Sequence, residues 1–469
     1  MQKREPASGI PGAGHSRNFT QYSGLQGFST GGRYFFLGAP LCRLSFLEHT
    51  AWAAANIIGV SGPAISPPIS ASKTRPLLVP MLDLNRQYEP LRAELLDAIS
   101  HVIDKQQFIL GEAVDGLERA AAEHLGVAYA VGCSSGTDAL WLALAAAGIG
   151  SGISPSRSRP VHQSPVGAVV TTPFSFFASV SAILRAGAAP LLADIDPVTF
   201  NLSPGAVEAV LNGPRGAAVR AILPVHLFGQ CADFSSGFGR GRGLIVIEDA
   251  AQAWGAEWQG VKAGGLGDAA AFSFYPTKNL SAAGDAGMVT TNSEGVAERV
   301  RMLRQHGMRR RYLHDELGWN ARMDGIQGAI LSVKLKYIAR WNQARRAAAG
   351  HYHALFAAAG LAESGPYPQH GVVLPREAAG SWHVWHQYVI RTARRDALRE
   401  FLTARGIGSE VYYPIPLHMQ KALRGLGYAE GDFPEAERAA CEVLALPIFP
   451  ELRADEQQAV VTAVAEFLS

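Results

Sequence analysis

Two side chains in this sequence are placed to do chemistry together. Lys278 lies in the run Ala-Phe-Ser-Phe-Tyr-Pro-Thr-Lys-Asn-Leu (271–280), and Asp249 stands upstream in Val-Ile-Glu-Asp-Ala-Ala-Gln-Ala (246–253). Each follows an apolar segment that reads as a buried strand. An amine and an acid at strand ends suit pyridoxal 5'-phosphate (PLP). The amine forms a Schiff base with its aldehyde, and the carboxylate keeps its ring nitrogen protonated so that the ring accepts electrons. Burial lowers a lysine's pKa, which an imine-forming amine and a proton-carrying base both require. Taken singly, neither residue is diagnostic. Most lysines are solvated, and an aspartate ending a strand is as readily a helix cap or half of an ion pair.

The rest of the chain offers the remaining parts of such a site. Cys-Ser-Ser-Gly-Thr-Asp-Ala-Leu (133–140) puts small polar residues, Gly136 and Thr137 among them, at a strand-to-helix turn. Free N–H groups and the helix dipole would bind a phosphate there, although an ordinary N-cap reads the same way. Ser273 precedes Lys278 by five residues, so its hydroxyl could reach the phosphate while the lysine reaches the aldehyde. Phe176, in Thr-Thr-Pro-Phe-Ser-Phe-Phe-Ala-Ser (171–179), could stack on the ring, or the three phenylalanines could be plain core. Gln252 could orient the ring or the aspartate.

Positioning these residues requires an alternating α/β chain. Strands are expected at 128–133, 168–172, 189–194, 219–224, 244–248, 268–274 and 286–291, with helices between most of them and a long helix from Gly325 to about Ala349. This pattern predicts a mostly parallel sheet with helices on both faces. After about residue 350 a smaller α+β unit follows, with strands at 384–391 and 408–412 and closing helices at 435–444 and 455–467. Residues 1–78 are rich in Gly, Ser, Pro and Ala without sustained period, and are expected to be a disordered extension or the product of a mis-assigned start. Residues 150–166 read as a Pro/Ser/Arg-rich loop. The expected domains are therefore 79–349 and 350–469.

Composition narrows the class. Of 469 residues, 48% are hydrophobic and 17% charged, which is ordinary for a globular protein. A formal charge of +2 gives no hint of a nucleic-acid partner. Cys42, Cys133, Cys231 and Cys441 lack metal-ligand spacing and fit a reducing cytoplasm. The best apolar stretch, 51–65, is interrupted by Asn56, Gly59 and Pro63, is too short to span a bilayer, and sits too far from the N-terminus, with the wrong flanks, for a signal peptide.

From about Val79 onward the chain resembles the DegT/StrS family of PLP-dependent sugar aminotransferases, of the aspartate-aminotransferase fold (type I). The likeness rests on Ser-Ser-Gly-Thr-Asp-Ala-Leu, Pro-Val-His-Leu-Phe-Gly-Gln (224–230), Glu-Asp-Ala-Ala-Gln-Ala, the lysine segment 267–280 and Leu-Arg-Gln-His-Gly (303–307). It continues in Asn-Ala-Arg-Met-Asp (320–324), His-Gln-Tyr-Val-Ile-Arg (386–391) and Val-Tyr-Tyr-Pro-Ile-Pro-Leu-His (411–418). The resemblance implies that Lys278 carries the cofactor and shuttles protons, Asp249 holds the ring nitrogen, Gly136, Thr137 and Ser273 bind phosphate, and Phe176 stacks. It implies that Asn320 reaches the cofactor phosphate of a neighbouring subunit, hence a homodimer, and that Tyr412 and His418 border a sugar pocket. The implied reaction moves an amino group from L-glutamate to a nucleotide-linked keto-sugar.

Gly-Asp-Ala-Gly after the lysine resembles members that aminate C-3, with C-4 as the alternative; Ala286 replaces the usual glycine. Two further departures are the long 150–166 insert and segment 231–243, which lacks the helix expected before the Asp249 strand. A PLP-binding regulator without turnover is the rival from another class, and the intact lysine argues against it. The lysine also argues against a sugar dehydratase, where histidine takes its place. Phe176 in the stacking position argues against a cysteine desulfurase.

Overall fold

Short runs of Ala, Val, Ile and Leu set a central sheet. The computed structural model describes residues 78–150 and 167–469; nearly all of the expected extension 1–78 and of the loop 150–166 lies outside the described residues. The chain begins with α1 (Leu84–Tyr88), α2 (Arg92–Lys105) and α3 (Glu112–Leu125), then β1 (Tyr129–Cys133) and α4 (Gly136–Ala146). Next come β2 (Ala168–Thr171), α5 (Ala178–Arg185), β3 (Ala189–Leu192), α6 (Pro204–Asn212), β4 (Val219–Ile222) and β5 (Ile245–Asp249). A small pair, β6 (Glu257–Trp258) and β7 (Val261–Lys262), precedes β8 (Ala269–Ser273), β9 (Gly287–Thr291) and α7 (Glu294–Leu303).

The main sheet runs β1-β9-β8-β5-β4-β2-β3. Only β9 is reversed, antiparallel to β1 and to β8; the other pairs are parallel. The mostly parallel sheet predicted from the alternation is therefore present. Its strands are buried almost without a break, as a sheet covered on both faces requires. Helix α4 is apolar on nearly every side and packs on β8 and β9, which fixes its N-terminus at the carboxyl ends of the strands.

The chain continues through β10 (Met308–Arg310), β11 (Leu313–His314), α8 (Gly325–Leu335) and α9 (Ile338–Ala358). It ends with β12 (Ser381–Trp382), β13 (Tyr388–Arg391), α10 (Arg395–Ala404), α11 (Pro434–Glu442), β14 (Val443–Leu446) and α12 (Ala454–Leu468). The long helix expected from Gly325 is two helices. They part at Lys336 and Tyr337, whose side chains both bond Glu94 of α2, at 2.5 and 2.9 Å. Helix α9 then runs unbroken past residue 350.

The strand expected at 408–412 does not form, and Glu410 makes only an isolated bridge to Ala445. The partner of β13 is instead β14, four buried apolar residues, the first two of which lie inside the helix expected at 435–444. Segment 231–243 does lack a full helix. A 3-10 turn, Gly237–Arg242, takes its place, and buried Phe238 packs edge-on against Phe234 at 5.0 Å to fill the space behind β5.

Candidate active site

Strand register brings three loops together. Cys133 of β1 and Ser273 of β8 both lie opposite Gly287 of β9, and Asp249 of β5 lies opposite Ala271. The turn into α4 thus sits beside Ser273 at the carboxyl edge of the sheet, where ligands of such sheets bind. The approach is close enough to demand glycine. A Cβ on Gly136 would lie 2.5 Å from the Ser273 Cβ, and one on Gly287 would lie 2.2 Å from the Ser135 carbonyl oxygen. Ser135 caps α4 by accepting from the Asp138 N–H at 3.1 Å. Gly136 and Thr137 supply the first N–H groups of the helix, which have no partner inside it. With the Ser273 hydroxyl alongside, they form a cradle for a phosphate.

Two adjacent buried carboxylates show which one is reserved for a ligand. Alternation along β5 sends Glu248 and Asp249 to opposite faces. Glu248 is saturated: His226 Nε2 lies at 2.8 Å, and the N–H groups of Gly264 and Gly267 donate at 2.8 and 2.6 Å. Because the Ala232 N–H donates to His226 Nδ1, the ring carries its proton on Nε2 and gives it to Glu248. Asp249 has less. The Ser179 hydroxyl donates to its Oδ2 at 2.7 Å, and the Ala251 N–H donates to Oδ1 at 3.3 Å. Burial raises its pKa, while Ser179, Ala251, Lys278 and His226 pull the other way. A buried acid so thinly held calls for a cation.

Lys278 meets that acid as an unpaired amine. Its Nζ makes no ion pair or hydrogen bond with any described residue. Burial lowers its pKa to about 8, with Asp249 pulling it back up. Its backbone is rigidly held. Lys278 N–H donates to Tyr275 O, the Ala282 N–H to Phe274 O, and the Asn279 side chain to Trp254 O at 2.9 Å.

The other expected residues divide. Phe176 is 61% exposed, its ring 6.5 Å from that of Tyr413, and is free to cover a planar ligand. Gln252 makes no hydrogen bond to Asp249. Its Oε1 accepts from the Phe228 N–H at 2.6 Å and its Nε2 donates to the Tyr413 hydroxyl at 3.1 Å. Asn320 is exposed on this chain. Tyr412 is half-buried. His418 is buried, its Nε2 2.9 Å from Glu437 Oε1 and its Nδ1 without a hydrogen-bond partner. Sequence reading missed Ser179, whose signal was a serine one helical turn after Ser175, and Tyr413, hidden as the second of two tyrosines. Among the described residues no group of His, Cys, Asp and Glu could hold a metal, and no helix is long and apolar enough to cross a membrane.

The family model described as the DegT/DnrJ/EryC1/StrS aminotransferase family matches residues 90–465. The chain belongs to that family. A Geobacillus stearothermophilus relative, named pleiotropic regulatory protein, is 46% identical over 83% of this chain and 98% of its own. An Acidithiobacillus ferrooxidans UDP-N-acetyl-3-dehydro-alpha-D-glucosamine 3-aminotransferase is 40% identical, covering 84% of this chain and 99% of its own. The crystal structure of Streptomyces venezuelae DesV with a ketimine intermediate superposes with a TM-score of 0.75 at 39% identity, over 84% of this chain and 99% of that one. Bacillus subtilis NtdA, solved with bound cofactor PMP, gives a TM-score of 0.71 at 28% identity, over 85% and 87% of the two chains.

This DegT/DnrJ/EryC1/StrS member is thus an aminotransferase dependent on PLP, with the fold of those enzymes. Its residues fit the cofactor. The acid on β5 lacks a cation, the amine after β8 lacks a partner, and the cradle at Gly136 is one that a Cβ would close.

Proposed function

We propose that this enzyme transfers an amino group from L-glutamate to a nucleotide-linked keto-sugar, adding nitrogen at C-3. The observation that carries the chemistry is the pairing of unpartnered Lys278 with under-satisfied, buried Asp249. Support for the acceptor comes from the Acidithiobacillus relative, whose name specifies a 3-dehydro sugar, and from the Gly-Asp-Ala-Gly run after the lysine.

Bound PLP would supply an electron sink for the charge left when a proton leaves the donor's Cα. The chain's residues do the rest. Gly136, Thr137 and Ser273 anchor the phosphate, Asp249 faces the ring nitrogen, and Phe176 covers the ring. Lys278 Nζ would take the proton from the donor's Cα and deliver it to the cofactor carbon, so that the nitrogen stays with the cofactor and the donor leaves as a keto acid. Its pKa of about 8 keeps both protonation states populated near neutrality.

Homodimerisation accounts for a band of exposed apolar side chains. Phe108 (42% exposed) and Ile109 (50%) lie beside the 324–325 backbone, and Leu317 (56%) and Trp319 (47%) lead into Asn320. A second copy seated there would shield them and bring its Asn320 to this site. The Geobacillus relative's name keeps a PLP-binding regulator as the second reading; the free, acidified lysine favours turnover.

The test is direct. Purified holoenzyme should absorb in the visible, glutamate should bleach that band, and a UDP- or dTDP-linked 3-keto-sugar should restore it with nitrogen found at C-3. A protein that binds PLP yet is not bleached by glutamate or any other amino acid would establish the regulator instead.

A further inference from the structure

A two-serine relay runs from the start of α5 to Asp249. The Ser175 and Ser179 hydroxyl oxygens are 2.8 Å apart, and the Ser179 hydroxyl donates to Asp249 Oδ2 at 2.7 Å. All three side chains are buried. A serine hydroxyl has one proton to give. An ionised Asp249 is acceptor-only, so it takes the Ser179 proton, and Ser179 must then accept from Ser175. The direction Ser175 to Ser179 to Asp249 is therefore tied to a charged carboxylate. A neutral Asp249 would leave the relay free to reverse.

We infer that Ser179, backed by Ser175, is a positioning residue that keeps Asp249 ionised and turns its Oδ1 toward the cofactor ring nitrogen. This rests on the proposed role of Asp249. With Oδ2 committed to Ser179, Oδ1 carries only the longer contact from the Ala251 N–H. Burial alone pushes Asp249 toward its neutral form, which would draw the proton off the ring nitrogen and weaken the electron sink. Two hydroxyl dipoles aimed at the carboxylate oppose that shift, as hydrogen bonds to a charged form do. Phe176, between the serines, links the same segment to the face of the ring, so one short stretch of chain both covers the ring and sets its charge.

The test measures cofactor affinity by fluorescence, with PLP and with the analogue in which CH replaces the ring nitrogen. Ser179→Ala should raise the Kd for PLP about tenfold, the size of one hydrogen bond to a charged group. It should leave the Kd for the nitrogen-free analogue within about twofold of wild type. Ser179→Thr should restore PLP binding, and Ser175→Ala should weaken it in the same selective way, by about threefold. The donor half-reaction of Ser179→Ala should lose kcat with KM little changed. An unchanged Kd for PLP, or an equal loss for both ligands, would overturn the relay and leave mere packing. Should Ser179→Ala not fold, Ser175→Ala decides by the same pair of ligands. Asp249→Ala separates the two readings. If it too binds PLP normally, the role of Asp249 fails; if it alone loses PLP, only the relay fails.

Discussion

The carboxyl edge of the main sheet and the 408–418 segment near the C-terminus carry equally recognisable motifs, yet they behave differently. At the sheet edge, register pins each residue: Cys133 and Ser273 face the same glycine, and Asp249 sits one strand away. In 408–418 no ladder forms, and His418 turns inward to Glu437. Strand pairing fixes the face each side chain takes, so that Glu248 is satisfied inside while Asp249 is held for a ligand, whereas a motif in irregular chain has its side chains claimed by whatever polar partner lies nearest.

The sharpest break of that contrast would come from Lys278. Lys278→Ala should lower turnover by about ten-thousandfold, because it removes both the attachment point and the base. Glutamate-driven bleaching of the visible band measures it. A residual rate within tenfold of wild type would place the working amine elsewhere. Next comes Gly136→Ala. Its new methyl would collide with the Ser273 Cβ, which has no flexible end to swing aside. Overpacking of this kind costs about 1–3 kcal/mol, equivalent to roughly ten- to a hundredfold in PLP affinity. Gly126→Ala is no control, since its positive φ strains any side chain; Gly116→Ala in α3, with open space around it, should leave affinity unchanged.

Legibility followed the same division. The strands of the main sheet could be read because an apolar run bounded by turns is too short to pack as a helix and too greasy to lie in solvent; the site followed from the strand ends. What failed depended on tertiary choices. The α8–α9 break falls where Lys336 and Tyr337 bond Glu94, far away in sequence, and the start of β14 looks helical until β13 is there to pair with it. Gln252 was within reach of Asp249 along the chain, but its amide bonds the Phe228 N–H and the Tyr413 hydroxyl instead of the carboxylate. Ser179 escaped notice because a small hydroxyl beside three phenylalanines carries no pattern of its own.

A smaller effect should appear in pH dependence. Only the neutral amine of Lys278 captures the aldehyde, and its pKa is about 8 rather than the usual 10.5. The rate at which apoprotein takes up PLP should rise about tenfold from pH 6 to pH 7 and flatten above about pH 9. An unperturbed lysine would keep rising past pH 10. The sign for stability follows. Between about pH 8 and 10.5 the lysine binds more protons in the unfolded chain than in the folded one, so its contribution to apoprotein stability rises with pH across that window. The burial penalty is fully present below about pH 8. Lys278→Met, with nothing to titrate there, should show a shallower rise than wild type in denaturant melts, the remainder coming from buried Lys334, whose pKa is also lowered to about 8.

His418 gives the smallest effect on activity and the clearest test of the contrast. Its ring stacks edge-on with Phe433 at 4.8 Å and meets Glu437, which also accepts from the Gly431 and Phe433 N–H groups. Removing the ring leaves Glu437 with partners but opens a cavity beside Phe433, a combination that costs about 2 kcal/mol of stability. Nothing in that network touches Lys278, Asp249 or the Gly136 cradle. His418→Ala should therefore lower the melting temperature by several degrees while kcat/KM for the sugar stays within about threefold of wild type. Tyr412→Phe, at a half-buried position beside Tyr413, is the matched substitution. If His418→Ala instead lost kcat/KM a hundredfold with its melting temperature intact, the histidine would be a substrate ligand after all, and the segment would belong with the sheet edge.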